Sequence, residues 1–345
     1  GVQTCALPIS YFNADPIDRL LLLRPPKGGL PGVATTERYA IAANKPIYGT
    51  PDAGRGLYKK VRRVAKQEKL IENTVLLSVY TYQEDNDIKV MMGAHVDDVL
   101  WCAKPGYEHI IEKFLSQFQM KSIDDPPFRF CGCEYTQDEE FNIRVTAKDN
   151  TDKILPINYH KGNRRLDDKA TDGEIAQMRS VVGSLAWIAR KVRPRISYEC
   201  SKMQSVVASA LVKHLDACNR VLQETQCTSD EGLFFNAGAF DFNDAILVTI
   251  SDASWAGETL IIDDKIFPRR SQHGYFIALG EPKLWDQDEG YLHILGWKSG
   301  ILRRTCRSTF RAESQGMILA TETTTRVRKA LADMACLIKR KDPDW

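Results

Sequence analysis

"HVDDVL", residues 95–100, is the stretch from which the reading of this chain grows. Asp97 and Asp98 stand between two apolar runs, "IKVMMGA" (88–94) and "VLWCA" (99–103). Both runs suit strands and the paired acids interrupt them, so the pattern predicts a hairpin with two carboxylates at its tip. Asp also favours turns in its own right, because its short side chain bonds to nearby backbone. The apolar strand on each side argues for more, since a turn acid needs no buried hairpin to present it. Two hard oxygen ligands at one point suit Mg²⁺, and two-metal phosphoryl transfer needs several carboxylates converging from different elements.

Outward from the hairpin the chain alternates strands and helices. "GLYKKVRRVAKQEKLI" (56–71) has helical character, and "TVLLSVYTYQ" (74–83) and "DIKVMMGAHV" (87–96) read as strands. "YEHIIEKFLSQF" (107–118) sets Ile110, Phe114 and Phe118, with Ile111 and Leu115, on one helical stripe, and "FRFCGCEYTQD" (128–138) reads as a further strand and turn. Residues 150–172 are polar and irregular. Helices are expected over 173–192, where Ile175, Met178, Val182, Leu185 and Ile188 share a face, and over roughly 196–225 after Pro194. Residues 228–244 read as a linker or short hairpin. Residues 25–32, "PPKGGLPG", form a Pro/Gly loop without the order of a phosphate loop.

Beyond residue 244 the pattern changes. "AILVTISDASWAG" (245–257), "SQHGYFIALG" (271–280) and "LHILGWKS" (292–299) read as three strands, and 307–338 as one long helix or two with Ser308 as N-cap. Asp252 ends the first strand and Glu313 lies early in the helix. Each has an ordinary use, Asp252 in a turn and Glu313 beside a helix N-terminus. Their joint placement in β-β-β-α makes them a second candidate carboxylate set. The whole is an α+β chain.

The 345 residues suffice for two or three domains, and 43% hydrophobic with 27% charged residues suits a globular chain. A net charge of +2 does not announce a nucleic-acid binder, but the basic residues cluster at 59–69, 190–195, Arg269–Arg270 and 303–307. Such runs either face solvent or hold phosphates. Nine scattered cysteines, with a C-x-C at Cys131 and Cys133 that is not a zinc spacing, suit a reducing compartment. No apolar run reaches the roughly 18–20 residues of a membrane helix.

In order, these segments resemble the pol polyprotein of copia-type LTR retrotransposons over nearly all of the chain after Ser10. "HVDDVL" resembles the Tyr-x-Asp-Asp hairpin of the reverse-transcriptase palm. "IYGTPDAGRGLY" (47–58), "EKFLSQFQMKSIDDPPFRFCGCEY" (112–135) and "MRSVVGSLAWIARKVRPRISYECSKM" (178–203) resemble later polymerase segments, and His214 falls near a family His. "ISDASWAG", "RRSQHGYFIALG", "LGWKS" and "RSTFRAES" resemble the ribonuclease H signatures. The resemblance implies a partial fingers and palm over 10–150, thumb or connection helices and linker over 151–244, and a partial ribonuclease H-like domain over 245–345. It implies that Asp97 and Asp98 are catalytic Mg²⁺ ligands for DNA synthesis. It implies the same of Asp252 and Glu313 for hydrolysis of RNA in an RNA–DNA hybrid, with two Mg²⁺ per active site in the intact parent. The implied partners are an RNA or DNA template-primer, an RNA–DNA hybrid and dNTPs. The implied setting is intracellular, in a cytoplasmic virus-like particle or the nucleus, with no membrane.

Departures from the family pattern matter equally. His95 replaces the hairpin Tyr, Asp52 a Gln, Gly54–Arg55 a Pro-Arg pair, and Arg195 an Asp. "GVQTCALPI" (1–9) resembles a translated sequencing-adaptor oligonucleotide and is expected to lie outside the native fold. "YFNADPIDRLLLLRPPKGG" (11–29) resembles the segment that follows the family's first palm Asp, which places the missing carboxylate near Ala6 and Leu7. The later ribonuclease H acids are expected beyond Trp345. The resulting expectation is an incomplete polymerase fragment with little or no activity. The alternatives are a catalytically dead nucleic-acid-binding remnant and an unrelated α+β protein whose acids sit in turns.

Overall fold

The computed structural model describes residues 1–6, 14–28, 40–51, 53–85, 87–120, 122–242, 244–262, 265–287 and 289–339. Two compact units emerge, one of residues 1–126 with 330–345, the other of 127–329. The divisions expected at 150 and 244 therefore both fall inside the second unit. Asp52, residues 7–13 and the 29–32 part of the Pro/Gly loop lie outside the described residues. Every strand pairing is antiparallel among the described residues, as an α+β chain requires.

The first unit contains, in chain order, β1 (Val2–Ala6), β2 (Leu21–Leu23), β3 (Ile41–Ala43), α1 (Ala53–Gln67), β4 (Ile71–Glu72), β5 (Val79–Glu84), β6 (Asp87–His95), β7 (Asp98–Ala103), α2 (Glu108–Leu115) and β8 (Ser122–Asp124). Strands β2 and β3 pair as a small ribbon, and the other six form one sheet in the order β4-β5-β6-β7-β1-β8. Leu57, Val61 and Val64 recur at helical spacing in α1, and Ile110, Ile111 and Phe114 in α2, so each helix has an apolar stripe to bury. Both stripes pack on one sheet face, against Tyr80, Val90, Met92, Val99 and Trp101.

Two local findings differ from expectation here. Residues 1–9 were expected to contribute nothing, yet residues 2–6 form an inner strand between β7 and β8, with Cys5 in the helix-side core. Residues 74–78 were expected to begin a strand and instead turn, leaving Leu76 and Leu77 exposed. The cause is Asn73, whose Oδ1 accepts both Val75 and Leu76 N–H, followed by Ser78 at φ +65°. A local side-chain cap thus outcompetes β-propensity. Glu72 then ties the turn down, accepting from Ser78 N–H, Tyr58 and Tyr80 and pairing with Arg62 at 2.9 Å.

The second unit contains β9 (Phe128–Phe130), β10 (Cys133–Gln137), β11 (Ile143–Thr146), α3 (Lys148–Asp152), α4 (Asp172–Lys191), α5 (Ser197–Val206), α6 (Val212–Cys227), β12 (Leu233–Phe235), β13 (Ile246–Ile262), β14 (Lys265–Gly280), β15 (Leu292–Ile301) and α7 (Thr309–Lys339), whose last turns from Ala330 belong with the first unit. Strands β12-β11-β10-β9 make one sheet and β13-β14-β15 another. Met178, Leu185 and Ile188 of α4 and Leu215, Cys218 and Leu222 of α6 are its deepest core. The second sheet holds α7 on one face. On the other, Trp297 donates to Ala189 O of α4 at 2.7 Å and Gln272 to Ser201 Oγ of α5 at 3.1 Å.

The helix expected over 196–225 is two helices. Between them Ala210 and Leu211 are extended, because their backbone pairs with the 168–170 segment: Ala170 N–H donates to Ala210 O and Val212 N–H to Asp168 O. The expected linker over 228–244 contributes β12 to the first sheet of this unit. Cys131 and Gly132 are the two residues of a tight hairpin between β9 and β10, both at positive φ (+50° and +82°), the type I′ pattern.

Glu174 starts α4 through a capping box with Thr171, and it takes Arg164 bidentately at 2.7 and 3.0 Å. That pairing holds its carboxyl down at about 2. We expect Glu174→Ala to cost about 3 kcal/mol in urea unfolding, as removal of one member of a nearly buried pair does. A folded-state pKa below the unfolded one contributes stability above the unfolded value of about 4.3 and loses it as pH falls toward 2. The wild-type and Glu174→Ala stabilities should therefore converge over that window.

Burial also depresses His214, His273 and His293, all in this unit, with nearby Lys213 adding at His214 and Lys298 at His273. The unfolded chain then binds more protons than the folded one. Stability is expected to be full above about pH 6.5 and to fall as pH drops below it. A urea midpoint measured at neutral and mildly acid pH checks this, with replacement of the three histidines by Gln flattening the slope.

Candidate functional site

Strands β6 and β7 join through two residues, Val96 and Asp97, with His95 opposite Asp98. Of the two loop residues only Val96 has positive φ, +53°. That is the type II′ pattern, whose first central position favours Gly. A β-branched residue there is strained by sterics between its side chain and the backbone. Tight closure makes the tip compact: Asp97 is exposed and Asp98 half-buried. Alternation along β7 sends Val99 and Trp101 to the helices and Asp98 to the open face. A cleft of about 280 Å³ adjoins the hairpin, lined by Gly54, Tyr58, Leu77, His95 and Val96 among others.

Strand β1 runs along the other side of β7 with Ala6 opposite Asp98 and Cys5 opposite Val99. Directly opposite residues have Cβ atoms about 4.5–5.5 Å apart, near enough for two carboxylates to hold one ion. Strand β8 pairs with β1 in turn, setting Asp124 opposite Thr4. The Cys5 thiol is pushed up to about 12 by burial first, and the Asp98 and Asp124 carboxylates add to the shift. Asp124 was not singled out from the sequence. Only the sheet order brings it beside β1.

Asp252 and Glu313 meet differently. Gly316 of α7 seats the helix on β13: a Cβ there would lie 3.3 Å from Ala253 Cβ and 3.8 Å from Asp252 O. Glu313 lies one helical turn before Gly316, so the backbones of the two acids are neighbours. Their side chains are not. Ala253 packs toward the helix, and Trp255 on the same face donates to Cys306 O. Alternation turns Asp252 to the opposite face, where it is exposed. Among the described residues no group of three or more His, Cys, Asp or Glu side chains is placed to hold a metal ion.

His214, noted for its position, has a structural task, its Nδ1 accepting Leu211 N–H at the start of α6. Among the described residues no helix is long and apolar enough to cross a membrane. Compared with protein-family models and with curated proteins, the chain matches none.

The hairpin strain is directly measurable. Val96 is 46% exposed, so its replacement removes little buried surface. Val96→Gly is expected to raise stability by about 1 kcal/mol, the relief of a left-handed L-residue less the greater entropy of glycine. Chemical denaturation of the two proteins compares them.

Proposed function

We propose that the chain is a copia-type reverse-transcriptase palm fragment joined to ribonuclease H-like elements. Asp97 and Asp98 are its remaining palm carboxylates. The observation that carries this reading is the register of β1 and β7. Position 6, one of the two positions near which the resemblance puts the missing third carboxylate, pairs with Asp98 in that register. A two-residue hairpin between apolar strands presents the other two acids beside it.

The chemistry follows from those positions. Mg²⁺ ions held by the three carboxylates would activate a primer 3′-hydroxyl and steady the leaving pyrophosphate, with an RNA or DNA template-primer and dNTPs as substrates. In this chain Ala6 supplies no oxygen, so polymerisation is weak or absent. For hydrolysis of an RNA–DNA hybrid the support is the element order β13-β14-β15-α7. The outward turn of Asp252 favours reading that half as a remnant that retains the fold and lacks the activity.

Ala6→Asp tests the palm reading. We expect Mn²⁺ to bind the wild-type chain weakly, and Ala6→Asp to tighten binding at least tenfold, a change that Asp98→Asn reverses. Primer extension with Mg²⁺ should follow the same order. Equal Mn²⁺ affinity in wild type and Ala6→Asp would remove the reading.

A further inference from the structure

We propose that the turn and helix start over residues 302–314 form a binding surface for single-stranded nucleic acid. The inference goes beyond the polymerase reading and asks nothing of Asp97, Asp98 or Asp252, and Glu313, which lies within the stretch, takes no part in it. Arg303, Arg304, Arg307 and Arg311 all lie in this stretch, all are exposed, and Glu313 is its sole acid. Among the described residues none of the four guanidinium groups has an ion-pair partner. Some arginines elsewhere are paired, among them Arg62 with Glu72, Arg63 with Asp15, Arg164 with Glu174 and Arg193 with Glu231. Four like charges gathered in so short a stretch repel one another. A polyanion would offset that repulsion.

Two aromatic rings select the kind of polyanion. Phe310 stands among the arginines and is 81% exposed. Trp255 is 47% exposed, and its Nε1 donates to Cys306 O at 3.0 Å, which holds the indole against the arginine turn. Guanidinium groups grip phosphates bidentately, and exposed rings stack on unpaired bases. A duplex keeps its bases stacked inward and offers Phe310 nothing. An acidic peptide satisfies the charge and leaves the rings unused. Charge and rings together fit a single strand.

Fluorescence anisotropy on the full chain tests this, with a labelled oligothymidylate and a mixed-sequence duplex of equal length as probes. The single strand should bind about tenfold tighter than the duplex. Its affinity should fall with salt at a log–log slope near about −3, from ~0.7 per phosphate contact and four contacts. Arg304→Ala with Arg307→Ala should roughly halve the slope, whereas the two Lys substitutions should keep it. Phe310→Ala should weaken single-strand binding about tenfold and leave duplex binding alone. Equal affinity for both probes, no effect of Phe310→Ala, or equal competition by polyglutamate would overturn the proposal. Silence of Ala6→Asp in metal binding would leave it standing, so the two readings fail separately.

Discussion

The first unit depends on the register set by one two-residue hairpin. Side chains alternate with a period of two, so a slip of one residue between β6 and β7 would exchange their faces. Val99 and Trp101 would leave the core under α1 and α2, and Asp98 would enter it without a partner. Burial of those two side chains and the cost of an unpaired buried carboxylate both oppose the slip. The strain at Val96 is therefore tolerated, because the register that demands it is held by packing along the whole length of both strands. Strand β1 inherits its register from β7, and β8 inherits its own from β1.

In the second unit the corresponding constraint is the close seating of α7 on β13. Gly316 lets the helix approach until a single added carbon would press on Ala253. Ala312 and Ala253 complete the contact, both almost without exposed surface. Small residues at these points settle which strand face the helix covers. Ala253 faces it and the adjacent Asp252 does not. The packing that makes the β-β-β-α unit compact is thus the same packing that parts its two acids.

Where periodicity was strong, structure was legible in sequence. Met178, Val182, Leu185 and Ile188 mark α4 and all are buried, and the acids of the β6–β7 tip follow from two apolar runs of fixed length. The failures have particular causes. "TVLL" reads as strand, but Asn73 bonds forward into it and turns the backbone. The break between α5 and α6 carries neither Gly nor Pro, because pairing with residues 168–170 makes it. Strand β1 forms whatever the origin of its codons, because the sheet asks only for alternation, and Thr4 and Cys5 supply that. Asp124 is invisible to spacing because its relation to Asp98 runs through two strand pairings. The faces of Asp252 and Glu313 needed the helix seat to be known.

Charge balance bears on what the β6–β7 tip can hold. Asp97 and Asp98 bring two negative charges to a point that water reaches. Repulsion between adjacent exposed carboxylates is modest under those conditions, so the tip needs no cation to fold. Two carboxylates balance one divalent ion. A second ion at the spacing of a two-metal site adds two positive charges, and with no third acid their mutual repulsion goes uncompensated. Asp124 does not make up the deficit from its place two strands away. On the polymerase reading, the present chain is suited to a single, loosely held ion. On the same reading, a carboxylate at position 6 would change the number of ions the site could hold, and with it the kind of chemistry.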